Sequence, residues 1–122
     1  MKIGIVGSRS FFDYDSMCAI LGVLDITEII SGGAEGADRL AERYAIEKDI
    51  KATIFPALWD KFPGKTASYE RNKMIVSEAD SIVAFWDGAS KGTRMTMRLC
   101  WESKKPLIIV RTDMLNKGDS DV

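Results

Sequence analysis

Two arginines and three glycine-bearing segments are the residues of this chain best suited to chemistry. The segments are Gly7-Ser8-Arg9, then Ser31-Gly32-Gly33-Ala34-Glu35-Gly36-Ala37-Asp38, then Asp87-Gly88-Ala89-Ser90-Lys91-Gly92-Thr93. Each closes an apolar run that reads as a β-strand. Glycine lets the backbone turn sharply and approach a ligand, leaving free N–H groups at the start of the next helix. An arginine adds a planar fork suited to phosphate or carboxylate. Three such turns on one parallel sheet converge on one side of it, where open α/β sheets bind ligands. The chemistry implied is the holding of an anion such as a nucleotide phosphate.

Within the segments, Gly7, Ser8, Arg9, Gly32, Gly33, Ala34, Gly88, Ser90, Gly92 and Thr93 form the expected cradle. Arg71 and Asn72 approach it from a helix, and Asp38 positions sugar hydroxyls or the neighbouring loop. The structural alternatives are a turn with a solvated arginine at Arg9, a dipole-favoured first-turn residue at Asp38, and a solvated helix face at Arg71-Asn72-Lys73. G-x-G-x-x-G is absent after the first strand, so a dinucleotide fingerprint is not supported. Lys91 precedes Gly92 rather than following it, which argues against a Walker-type phosphate loop. Asp87 and Glu70 are the carboxylates available for catalysis. The sequence contains 0 histidines, which excludes His-based acid–base chemistry, Ser-His-Asp triads and the common zinc sites. No metal and no cofactor are implied.

The elements that must position these residues follow in order. Lys2 to Val6 reads as a strand, with Asp15 as N-cap of a helix through about Leu24. Ile26 to Ile30 is a second strand, and a helix from Gly36 to Lys48 carries Ala37, Leu40, Ala41, Tyr44 and Ala45 at helical spacing. Ala52 to Phe55 is the third strand. An irregular stretch holding Trp59 and Phe62 leads to a helix over Thr66 to Glu78, with Ala67, Met74, Ile75 and Ala79 on its apolar side. Ser81 to Trp86 is near-continuously hydrophobic, as a central parallel strand should be. A helix from Gly92 to Ser103 and a strand from Leu107 to Val110 complete the domain. Alternating strands and helices with short connections predict an α/β, Rossmann-like three-layer sandwich, with about five parallel strands and helices on both faces. Residues 1–110 form one domain, and 111–122 read as a polar tail.

Bulk composition constrains the partners. The 122 residues are 46% hydrophobic and 29% charged, with 17 Lys+Arg against 18 Asp+Glu and a net charge of −1. No global basic field recruits nucleic acid or membrane. Local clustering of Arg9, Lys65, Arg71, Lys73, Lys91 and Arg94 keeps nucleic acid open but not favoured. No apolar run approaches the roughly 18 residues of a membrane span, so the expected location is cytoplasmic. Cys18 and Cys100 lack C-x-x-C spacing and read as reduced packing thiols.

Together, Val6-Gly7-Ser8-Arg9, the Ser31–Asp38 segment, Arg71-Asn72-Lys73, Ala79-Asp80 and Ser90-Lys91-Gly92-Thr93 resemble the SLOG superfamily. That superfamily joins the DNA-processing protein DprA (Smf) and the LOG phosphoribohydrolases. The resemblance runs from Lys2 to Val110 and is nearest to the small single-domain YspA-like branch. It implies a Rossmann-like fold binding nucleotides or nucleotide-derived signals at the strand C-terminal ends, and a homodimer that would use apolar residues of the third and fourth helices. In LOG enzymes an arginine on the third helix and a P-G-G-x-G-T-x-x-E loop support cleavage of a base–ribose 5′-phosphate bond. Arg71 and Gly92-Thr93 match that pattern, whereas Thr96 stands at the glutamate position. Hydrolysis at a ribosyl bond would therefore need Asp87, Glu35 or Glu70. The DprA side of the resemblance implies single-stranded DNA binding as a further alternative.

Overall fold

The computed structural model describes residues 1–115, the side chain of Lys65 excepted. Five strands, β1 (Lys2–Gly7), β2 (Glu28–Ser31), β3 (Lys51–Ile54), β4 (Ser81–Trp86) and β5 (Leu107–Arg111), alternate with four helices. The helices are α1 (Tyr14–Leu21), α2 (Ala37–Glu47), α3 (Lys65–Glu78) and α4 (Lys91–Ser103). All strand pairs are parallel, in the order β3-β2-β1-β4-β5. The expected Rossmann-like architecture is the one observed.

Strand alternation divides the core into two layers. Ile3, Ile5, Ile29, Val83 and Phe85 meet Met17 and Leu21 of α1 and Ala37, Ala41, Tyr44 and Ala45 of α2. On the opposite face Val6, Ile30, Ile82 and Ala84 meet Ile75 and Val76 of α3 and Met97 and Cys100 of α4. Gly4 lets α3 press against β1, since a Cβ there would collide with Ile82 and reach 3.1 Å from Ala79 and Ile75. Phe11 stacks on Phe85 with centroids 5.0 Å apart, fixing the start of the β1–α1 loop against the sheet.

Several expected details shift. The cap of α1 is Asp13, whose carboxylate accepts from the Ser16 amide at 3.1 Å, and the helix stops at Leu21 rather than Leu24. Asp15 sits in the first turn, where the helix dipole also favours an acid. Met74 is exposed and Val76 takes its place in the core, because α3 covers β1 and α4 together rather than a single flat sheet. At the other end β5 includes Arg111 and runs into a 3-10 turn, Thr112–Met114, with Leu115 packed on the α1–α2 layer. The remainder of the expected tail, 116–122, lies outside the described residues. Cys18 and Cys100 are both free thiols.

Strand order sets where a ligand can go. The chain leaves β1 toward β2 on one side and enters β4 on the other, so connections diverge between β1 and β4. That divergence opens a crevice at the strand C-terminal ends. The loops after β1 and β4 flank it, and the loop after β2 lies next to them.

Candidate anion-binding site

A cleft of about 430 Å³ occupies this crevice. It is lined by Gly7, Ser8, Arg9, Ala34, Asp38, Arg71, Asn72, Asp87, Ser90, Gly92 and Thr93, so residues from all three segments and from α3 meet in one place. Ser10, Ser68, Ile75 and Thr96 also line it. Gly32, Gly33, Gly88 and Glu70 do not.

Ser8 is the tie between the loops. Its amide donates to Phe85 O at 2.9 Å, extending the β1–β4 pairing by one residue. Its carbonyl accepts from Ala37 N at 3.2 Å, at the entrance of α2. Its hydroxyl oxygen accepts from the Asp87 amide at 3.2 Å, at the exit of β4. Gly36 makes the second of these joins, at the entrance of α2, physically accessible. It adopts φ 78°, and a Cβ would collide with Ser8 O and come within 2.5 Å of Arg9 O. Arg9 beside it is exposed and forms no ion pair among the described residues.

Arg71 reaches across from α3. Its Nη1 donates to Gly32 O at 2.8 Å and its Nε to Asn72 Oδ1 at 2.8 Å. Gly32 thus acts from behind: a Cβ there would lie 2.5 Å from Nη1, so glycine leaves room for the guanidinium. Because Asn72 Oδ1 accepts from arginine, its Nδ2 amide is the group left for the cleft. Arg71 lies on the same side of α3 as an apolar position. Ser68, Arg71, Asn72 and Ile75 form one i, i+3, i+4, i+7 face, with Ile75 in the core below and Arg71 above it. That spacing was the available signal for Ser68. Burial lowers the Arg71 pKa; the nearby Asp38 works against that and Arg9 adds to it.

The carboxylates are spent on the protein itself. Asp87 Oδ1 accepts from the amides of Ala89 (2.8 Å) and Ser90 (2.7 Å), and these bonds hold its pKa below the usual value. Of the N–H groups expected to be free before the next helix, those of Ala89 and Ser90 are therefore taken. Asp38 Oδ2 accepts from Ala34 N at 3.1 Å, a loop-organising contact. Asp38 is 7% exposed, and burial raises its pKa to about 6 against the opposing pull of the Ala34 amide and of Arg71. Glu70 pairs with Lys73 at 3.7 Å beside a separate cavity with Phe55, Met74, Ser77 and Glu78. One residue along the helix from Arg71, it is rotated off the cleft-facing side. Thr96, at the position of the LOG glutamate, is buried and donates to Gly92 O at 3.2 Å.

Arg111 belongs to β5, paired with Trp86, rather than to the polar tail expected from residue 111 onward. Its guanidinium lies over the Trp86 ring at 5.3 Å and pairs with Asp113 at 2.7 Å. It presses on Gly88, where a Cβ would be 2.6 Å from Nη2. Trp86 Nε1 in turn donates to Ser90 O at 3.0 Å. The third loop is therefore backed by β5.

No family model matches the chain. Over 86 residues it is 35% identical to the Gene 61 protein of Mycobacterium phage D29, covering 66% of this chain and 68% of that protein. The chain belongs to the family of that phage protein. Its fold is also that of DNA processing protein A, DprA. The Streptococcus pneumoniae structure superimposes with a TM-score of 0.76 at 19% identity, covering 98% of this chain and 54% of that one. The Helicobacter pylori protein, whose single-stranded DNA binding mode is known structurally, gives 0.67 at 20% identity, covering 100% and 74%. The chain thus spans about half the length of the pneumococcal protein, and what the two share is the fold. Among the described residues no helix is long and apolar enough to cross a membrane, and no group of three or more His, Cys, Asp or Glu could hold a metal.

Proposed function

We propose that this protein binds a nucleotide or nucleotide-derived small molecule, gripping its phosphate in the cleft between β1 and β4. The imbalance of hydrogen-bonding groups carries the reading. Donors remain at Arg9, at the outer nitrogen of Arg71, at Asn72 Nδ2 and at one of the Ser90 and Thr93 hydroxyls, which share a bond of 3.2 Å. Asp87 Oδ1 and Asp38 Oδ2 are meanwhile occupied by backbone amides. A donor-rich, partly dry site favours an oxyanion, and the first turn of α4 at Gly92 and Thr93 adds its dipole. The assignment to the YspA-like branch, a cytoplasmic location and a homodimer belong to the same reading. Of the apolar residues of α4, Met95 and Trp101 are exposed and available to a second copy; Met97 lies in the core.

Arg9 is the clean probe, since Arg71 also holds Gly32 and Asn72 and its removal would disturb two loops. Arg9→Ala should weaken nucleoside monophosphate binding at least tenfold in calorimetry while leaving Tm unchanged. Equal affinity in that variant would remove the phosphate assignment.

A second reading, single-stranded DNA binding, is supported by the likeness to DprA proteins and to the Helicobacter pylori protein in particular. A backbone phosphate would use the same donors. Oligonucleotide affinity falling steeply with salt, with mononucleotides silent, would favour it. Ribosyl-bond hydrolysis has less support: Glu70 is off the cleft, and one oxygen of Asp87 is committed to the turn before α4.

A further inference from the structure

Asp38 poses a problem for any anion-binding cleft. It is a nearly buried carboxylate on the wall of the site, with no ion pair among the described residues. Arg71, the nearest cation in effect, points its Nη1 and Nε at Gly32 and Asn72 instead. The groups facing Asp38 are few. From its own helix comes Glu42, one turn on, which opposes its ionisation; from α3 comes Arg71, with Arg9 of the β1–α1 loop acting on that arginine. The amides of Ala34 and Gly32 favour the ionised form. Other ionisable groups on the elements around α2 are engaged elsewhere: Tyr14 with Glu47, and Glu28 with Thr53 and Lys51. Across the cleft Asp87 is turned onto Ala89 and Ser90.

Bringing a phosphate to Arg9 and Arg71 sets a second negative charge beside this carboxylate, in a place water screens poorly. Like charges in such a site are relieved when one takes a proton. Resting on the phosphate reading above, we propose that Asp38 is the proton-accepting group of the cleft: it is ionised when the site is empty and binds a proton as an oxyanion arrives. Ligand affinity then depends on pH and falls as pH rises. The empty site is already poised for this, since burial has brought the Asp38 carboxyl to about 6. The coupling makes Asp38 a determinant of ligand charge rather than a ligand itself, because its Oδ2 stays with Ala34.

Sulfate is the probe, since its charge is constant over the relevant range. Calorimetric titration at pH 5.5 and 7.5, in two buffers of different ionisation enthalpy, reads affinity and proton uptake together. Expected are net uptake of a fraction of a proton and binding about tenfold weaker at the higher pH. Asp38→Asn should bind with little pH dependence and no uptake. Glu42→Gln, which removes the like-charged neighbour without touching the cleft, should move the transition to lower pH. The carboxyl carbon resonance of Asp38 in the unaltered protein should titrate at higher pH with sulfate than without. Sulfate bound without proton uptake would overturn the role of Asp38 and leave the phosphate reading standing. No sulfate binding at either pH, with Tm unchanged, would overturn both.

Discussion

The second and third glycine loops carry the same chemistry on paper and opposite chemistry in space. Each places one aspartate at the cleft, Asp38 after the second and Asp87 at the start of the third. Asp38 is buried in the first turn of α2 and its pKa rises to about 6, whereas Asp87 is half-exposed, accepts two amides on one oxygen and is held below the ordinary value. Desolvation penalises the charged form and hydrogen bonds reward it; the balance differs because Asp38 is nearly buried while Asp87 opens to solvent and accepts two amides. A residue type alone therefore does not announce which carboxylate can carry a proton near neutrality.

The most disruptive way to break this comparison is to separate the loops. Gly36→Val would force a side chain into the Ser8 and Arg9 carbonyls at a backbone conformation valine avoids. A loss of about 3 kcal/mol is expected in denaturant unfolding. A loss below about 1 kcal/mol would mean that the second loop is not pinned to the first.

The two aspartates should also separate by pH. Because the folded pKa of Asp38 lies above its unfolded value, its contribution favours folding below about pH 4 and is lost as pH rises to about 6. The span is at most ~3 kcal/mol for a shift of this size. Asp87 acts in reverse, its contribution being present at neutral pH and lost only as pH falls through its lowered pKa. Asp38→Asn should thus flatten the stability profile between pH 4 and 6, and Asp87→Asn should leave that window unchanged. Matching profiles for the two variants would erase the distinction.

The smallest expected effect sharpens the third loop. Arg111→Ala removes the cation over Trp86 and the support behind Gly88, and Tm should barely move because the guanidinium is solvent-exposed. Nucleotide affinity should drop a few-fold, with no change in the pH profile assigned to Asp38. A shifted pH profile in this variant would show that the two loops are electrically coupled.

Much of the scaffold was legible because its signals are local. Apolar runs such as Ser81–Trp86 mark buried parallel strands, and glycines after three of them mark turns. The spacing of Ala37, Ala41, Tyr44 and Ala45 marks a helix face. Parallel pairing and helices on both faces follow from the alternation of elements and the handedness of their crossovers. These are consequences of short-range sterics and of hydrophobic periodicity, which a sequence states directly.

What the chain could not state in one dimension is how polar groups share one another. The sequence points to Asp15 as the cap of α1, and the path of the β1–α1 loop gives that place to Asp13. Glu70 and Arg71 are neighbours in sequence, but one helical step rotates Glu70 to another cavity while Arg71 enters the cleft. Arg111 looked like the start of a tail until parallel pairing with Trp86 placed it behind the third loop. Burial, hydrogen-bond partnership and pKa depend on what lies within a few ångströms in space, and only the packed sheet brings those neighbours together.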